Sequence, residues 1–202
     1  VERSQHDVVG AVDLLARPQG QQLGRVAVTV DDGALGELAS AVQSLGAIPV
    51  PVYADAVAEE LAYVLDNSGV RFAVVQDQEQ VDKIQSFAKD IPNLKHLIFD
   101  EPRGLRDYSR NGLHDFADIQ AKGAALLAAD PSGGERWVER VRAASGDDVS
   151  VILYTSGTTG RSKGVMIKAS HAVNAARDTA AFDRLDETDS MLAYLPLAWV
   201  GD

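Results

Sequence analysis

Short runs of aliphatic and β-branched residues recur along the chain: RVAVTV at 25–30, IPVPVY at 48–53, RFAVVQD at 71–77, KHLIFD at 95–100, SVILYTS at 150–156 and MLAYLP at 191–196. Several are apolar throughout rather than alternating, the pattern of strands covered on both faces of a parallel sheet. Between them the period changes. Val57, Leu61, Val64 and Leu65 fall on one stripe of a helix over 57–68, with Asp55 placed to cap its start and Gly69 to stop it. Segments 34–45, stopped by Gly46, and 79–89, ended before Pro92, read in the same way. Strand and helix therefore alternate up to about residue 100, which predicts βαβ units and an α/β fold built on a mostly parallel sheet with flanking helices.

From 101 to 147 the pattern loosens into a polar, turn-rich stretch, an Ala-rich helix over 113–129 and a break at DPSGG, 130–134. This reads as a long excursion inside one domain, with Trp137 as a packing residue. Strong pattern resumes at Val149. No internal repeat or low-complexity tract interrupts the chain. It begins without Met and stops at WVGD, directly after a strand-like run, so it is expected to be a piece of something longer.

With 19 basic and 30 acidic side chains the formal charge is −11, which disfavours nucleic acid and anionic membrane surfaces as partners. The absence of cysteine excludes disulfides and thiolate chemistry in this chain and fits a reducing compartment, so cytoplasm is the expected location. No apolar stretch approaches the roughly 18 residues of a membrane span, and no export signal is read in the first twenty or so residues. Oligomeric state is not legible, and membrane association of a longer protein is not indicated.

The densest chemical signal is VILYTSGTTGRSKGVM, 151–166. An apolar strand runs straight into a loop of Thr155, Ser156, Gly157, Thr158, Thr159 and Gly160, with Lys163 close behind. Beyond the carboxyl end of a parallel strand such a loop lies where ligands collect. Its glycines let the backbone approach a ligand, its consecutive N–H groups form an anion-binding concavity, and its hydroxyls and lysine add donors and charge. A polyphosphate cradle is the functional reading; a plain Ser/Thr/Gly surface turn is the bland one. The abrupt join to apolar segments on both sides favours the first. A helix follows over about 169–182, so a helix dipole aimed at the phosphates is a further option. The Walker spacing is absent, because the fifth residue after Gly157 is Ser162 and Lys163 is followed by Gly164.

YTSGTTGRSKGVM resembles the phosphate-binding signature of the adenylate-forming superfamily, which includes AMP-binding acyl-CoA synthetases, adenylation domains and luciferases. LGAIPVPVYADAVAEELAYVLDNSGVRFAVVQDQEQVDKI and LAYLPLAWVGD are similar to its long-chain fatty-acyl-CoA synthetase branch. The resemblance covers the chain from about Asp7 to Asp202 and is weakest over 101–147. It implies that residues 1–202 form the amino-terminal portion of an adenylating domain, with the phosphate loop at 154–164 and the carboxyl-terminal domain outside the chain. It implies ATP, magnesium and coenzyme A as cofactor or co-substrates, and a fatty acid as the acid activated through an acyl-adenylate. Residues 155–160 and Lys163 would hold the β- and γ-phosphates, Lys163 would neutralise the leaving pyrophosphate, and Thr155 would lie nearest the metal. A piece this short is expected not to complete adenylation alone.

Trp199 stands where many relatives carry a His; it either walls the acyl pocket or packs in the core. Ser162 stands where the family pattern has Pro, which restores φ freedom and loosens the turn before Lys163. The family's Ser-His pair would fall at Ala169, with Ser170-His171 displaced beyond it; His171 reads more simply as a solvated or capping residue. Asp147-Asp148 reads as a turn rather than an acid/base pair. Another carboxylic acid, a carrier-protein acceptor, or a non-catalytic nucleotide-binding module remain alternatives. Hydrolase, zinc-enzyme and dinucleotide motifs are absent.

Overall fold

Arg25–Thr29 (β1), Ile48–Pro51 (β2), Phe72–Val75 (β3), His96–Phe99 (β4) and Leu113–Asp115 (β5) form one parallel sheet in the order β2-β1-β3-β4-β5. The computed structural model describes residues 24–29, 34–130, 132–155 and 160–190; the expected strand at 191–196 lies outside them. Every residue of β2 and β3 is buried, as continuous apolar runs in a parallel sheet require. The connections from β1 to β2 and from β3 to β4 carry Ala34–Ser44 (α1) and Gln78–Phe87 (α3), and β2 reaches β3 through Ala58–Ser68 (α2).

β2 sits at the sheet edge and contains Pro49 and Pro51. The amides of Ile48 and Val52 bond inward, at 3.0 and 3.1 Å, to the carbonyls of Gly24, just ahead of β1, and of Val28 within it. The prolines alternate with these donors, so the ladder cannot continue outward from β2. Val149–Thr155 (β6) runs close to β2 but belongs to a separate antiparallel pair with Lys163–Lys168 (β7).

The core lies between the sheet and its helices. Phe99, Leu61, Leu65, Ile84, Ile91 and Leu105 are its largest fully buried side chains. Ile152 belongs to the same cluster and Val149 and Tyr154 pack against it, so the β6–β7 hairpin shares the main core. α2 buries Leu61, Val64, Leu65 and Ser68 and ends on Gly69 at φ 63°, whose amide bonds the Asp66 carbonyl. Arg25 Nη1 donates to the Ser68 carbonyl at 2.6 Å, a cation on the carbonyl end of that helix.

Several details differ from the sequence reading. α2 starts after Val57, which provides no side-chain cap, so Asp55 does not cap it. Residues 113–129 are not one helix: β5 comes first, because Leu113 is buried against the sheet and pairs with Leu97. Asp115 then caps Phe116–Ala129 (α4) by accepting from the Ala117 amide at 2.9 Å. The break at 130–134 is real but leads directly into Gly133–Arg142 (α5), where Asp130 accepts from the amide and hydroxyl of Ser132 and pairs with Arg136. Trp137 is half-exposed and donates its indole N–H to Ser44 Oγ at 3.1 Å, tying α5 to α1.

Candidate functional site

Thr155 ends β6, Lys163 begins β7, and the two are direct partners across the hairpin. They form the neck of the seven-residue turn 156–162. Opposed residues of an antiparallel pair project from the same face, so the Thr155 hydroxyl and the Lys163 ammonium are presented together. Thr155 is half-buried and Lys163 is exposed, with no ion pair to another described residue. Gly160 has φ 147° and open space around it, a backbone state that suits glycine alone. Ser156, Gly157, Thr158, Thr159 and Trp199 lie outside the described residues.

The hairpin is a stiff mount. Tyr154 and Gly164 are the next pair, and a Cβ at 164 would stand 3.1 Å from Ile152 Cγ2 and 3.1 Å from Tyr154 Cζ. Gly164 therefore makes room for the Tyr154 ring. Lower down, Ser150 Oγ donates to the Ile167 carbonyl at 3.0 Å, and the side-chain amide of Gln43 on α1 donates to the Ser150 carbonyl at 2.8 Å.

One flank of α2 faces the hairpin and the far side of the turn. Tyr154 donates its hydroxyl to Asn67 Oδ1 at 2.6 Å, the Arg161 guanidinium lies 5.1 Å from the centre of the Tyr63 ring, and Ser162 Oγ lies 3.4 Å from Glu60 Oε1. Burial holds the Tyr154 phenol pKa above its ordinary value, so it stays a proton donor.

The topology corrects two expectations. The loop is the tip of an antiparallel hairpin rather than the turn of a parallel βα unit. The following helix, Ala169–Asp183 (α6), does not aim its N-terminus at the loop, because all of β7 separates them. Its first amides, Ala169 and Ser170, bond the carbonyls of Asp148 and Gly146 at 2.9 Å each, at the opposite end of the hairpin. His171 lies in that first turn and is exposed, in keeping with the solvated reading. Asp147-Asp148 forms a turn: Asp148 accepts from the Ser145 amide at 2.8 Å, and Asp147 pairs with Lys168 at 3.0 Å, which lowers its pKa.

The described residues contain no group of three or more His, Asp or Glu side chains that could cage a metal. Thr155 offers one neutral oxygen opposite a lysine. That donor set fits a magnesium ion that arrives on a polyphosphate and keeps most of its oxygen ligands from water and phosphate. It does not fit a resident, protein-caged ion.

The description of AMP-binding enzymes matches residues 25–202. The chain belongs to this family. Among curated AMP-binding relatives, long chain acyl-CoA synthetase 8 of Arabidopsis thaliana is 31% identical over 152 residues, covering 75% of this chain and 20% of that protein. The chain spans about a fifth of such relatives. Among solved structures, a putative long-chain-fatty-acid CoA ligase from Rhodopseudomonas palustris superposes with a TM-score of 0.65 at 22% identity, covering 98% of this chain and 44% of that one. ATP-bound MatB from Rhodopseudomonas palustris has a TM-score of 0.59 at 23% identity, covering 96% of this chain and 34% of that one. These likenesses show that the fold is that of adenylate-forming enzymes. The relatives themselves are named as an acyl-CoA synthetase and a CoA ligase.

Proposed function

We propose that the chain is the amino-terminal part of the adenylating domain of an ATP-dependent long-chain fatty acid–CoA ligase, and that 154–164 is its pyrophosphate loop. The observation that carries this reading is the Thr155/Lys163 neck: a hydroxyl and an ammonium on one face of a rigid hairpin, closing a turn of Ser, Thr and Gly. A fatty carboxylate oxygen attacks the α-phosphorus of ATP, the bond from that phosphorus to the β-bridging oxygen breaks, and pyrophosphate departs, leaving an acyl-adenylate. The thiol of coenzyme A then attacks the acyl carbon, loses its proton, and AMP leaves.

The task of this segment is the first departure. Negative charge grows on the β- and γ-phosphate oxygens as the bond breaks, and groups aimed there before reaction lower the barrier most. Lys163 places a positive charge at the neck and Thr155 Oγ1 donates or ligates beside it. A magnesium ion arriving with the polyphosphate would supply further neutralising charge, and Thr155 would be the residue to hold it. The relatives' names support a long-chain acid; the cytoplasm remains the proposed location.

ATP–pyrophosphate exchange tests this in a protein continuing the chain to the length of its relatives. With a panel of carboxylic acids, exchange is expected with long-chain fatty acids and to fall by at least about tenfold in Lys163→Ala. Exchange only with short or aryl acids would reject the long-chain assignment.

A further inference from the structure

We propose that Glu60, Tyr63 and Asn67 of α2 are positioning residues for the phosphate loop, a role that rests on the phosphate reading of 154–164. The three fall at i, i+3 and i+7, one stripe of a helix, beside the buried face formed by Leu61, Val64, Leu65 and Ser68. Each meets a different point of the hairpin. Asn67 accepts from Tyr154, one residue before the neck; Tyr63 lies under the Arg161 guanidinium; Glu60 accepts from Ser162. The anchors thus bracket the turn, one on the incoming strand and two on the outgoing limb.

The outgoing limb needs such an anchor. Ser162 occupies the position where a proline would have fixed φ, and a Cβ at Gly160, two residues earlier, would meet nothing within 4 Å. A freely turning 160–162 segment would let Lys163 sample many positions, and a charge contributes to catalysis only when it is held where the leaving charge develops. Because α2 is locked into the core by Leu61 and Leu65, contacts from its flank transmit that rigidity to the loop. Among the described residues no ion pair engages the lysine itself. Ser162 is then a tethered residue, its lost backbone restraint replaced by side-chain contacts to Glu60 and, through Arg161, to Tyr63.

Limited trypsin digestion reads the anchor without nucleotide, because the Arg161–Ser162 bond is itself a trypsin site. Cleavage there, normalised to Arg184–Leu185, is expected to rise about threefold in Tyr63→Leu and about tenfold in the combined Glu60→Ala, Tyr63→Leu, Asn67→Ala chain. Tyr63→Phe keeps the ring face and should behave as the parent. Pyrophosphate affinity, measured by calorimetry on the same chains, should weaken in the same order. Unchanged cleavage at Arg161 overturns the anchoring, and faster cleavage with unchanged pyrophosphate affinity overturns the positioning role. A parent chain whose affinity is the same as that of Lys163→Ala defeats the phosphate reading instead, a result separable from the other two.

Discussion

Gly164 shows how one residue can serve a motif for reasons of packing rather than ligand contact. It lies opposite Tyr154, and a side chain there would collide with that ring and with Ile152, each 3.1 Å from a Cβ. Tyr154 in turn packs against the main core and holds Asn67, so a displaced ring disturbs both the core and the loop mount. Gly164→Val is expected to lower the unfolding free energy by about 1 to 3 kcal/mol, the usual cost of overpacking, measured by urea denaturation. A loss near zero would mean that the ring moves aside freely. Nothing in the sequence distinguishes this glycine from Gly157 or Gly160; its partner across the hairpin does.

At the level of elements, the strands and helices were legible wherever a pattern ran long enough to carry its own period. β1 to β4, α1 to α3 and α6 fall within a residue or two of their expected spans; α2 and α3 do so because their apolar stripes are buried as the period demands, whereas α6 buries no residue. The misreadings occur where a local polar contact outweighs composition. Asp115 caps α4 and leaves 113–115 to the sheet, and Asp130, bonded to Ser132 and Arg136, holds the turn ahead of α5 in a stretch that composition marks only as a break. The Asp130 cluster carries a measurable signature. The Arg136 guanidinium, followed by the Ser132 hydroxyl, holds the Asp130 pKa down to about 2. The native state thus favours the ionised form, so any stabilisation from this cluster is present above the ordinary carboxylate range of about 4 and is lost as pH falls through about 2. An NMR titration should find the Asp130 carboxyl near that low value and moved upward in Arg136→Gln. A midpoint near 4 in the parent would contradict the Asp130–Arg136 pair.

Across the whole molecule, the parallel sheet followed from the alternation of periods, but the placement of the loop did not. VILYTS and KGVMI are both short apolar runs, and nothing local says whether they pair with each other or with the central sheet. The answer lies in Pro49 and Pro51, which block the outer edge of β2 and leave β6 to pair with β7. The result is a hairpin whose first strand shares the core of a parallel domain and ends on the Thr155/Lys163 pair. That pair carries the central claim, that Thr155 and Lys163 form the neck of a polyphosphate grip. Calorimetric titration of the chain with magnesium pyrophosphate, compared with Lys163→Ala, tests it most directly. The account predicts binding that weakens about tenfold or more when the ammonium is removed, the size expected for a charged hydrogen bond; equal affinity in the two chains would contradict it.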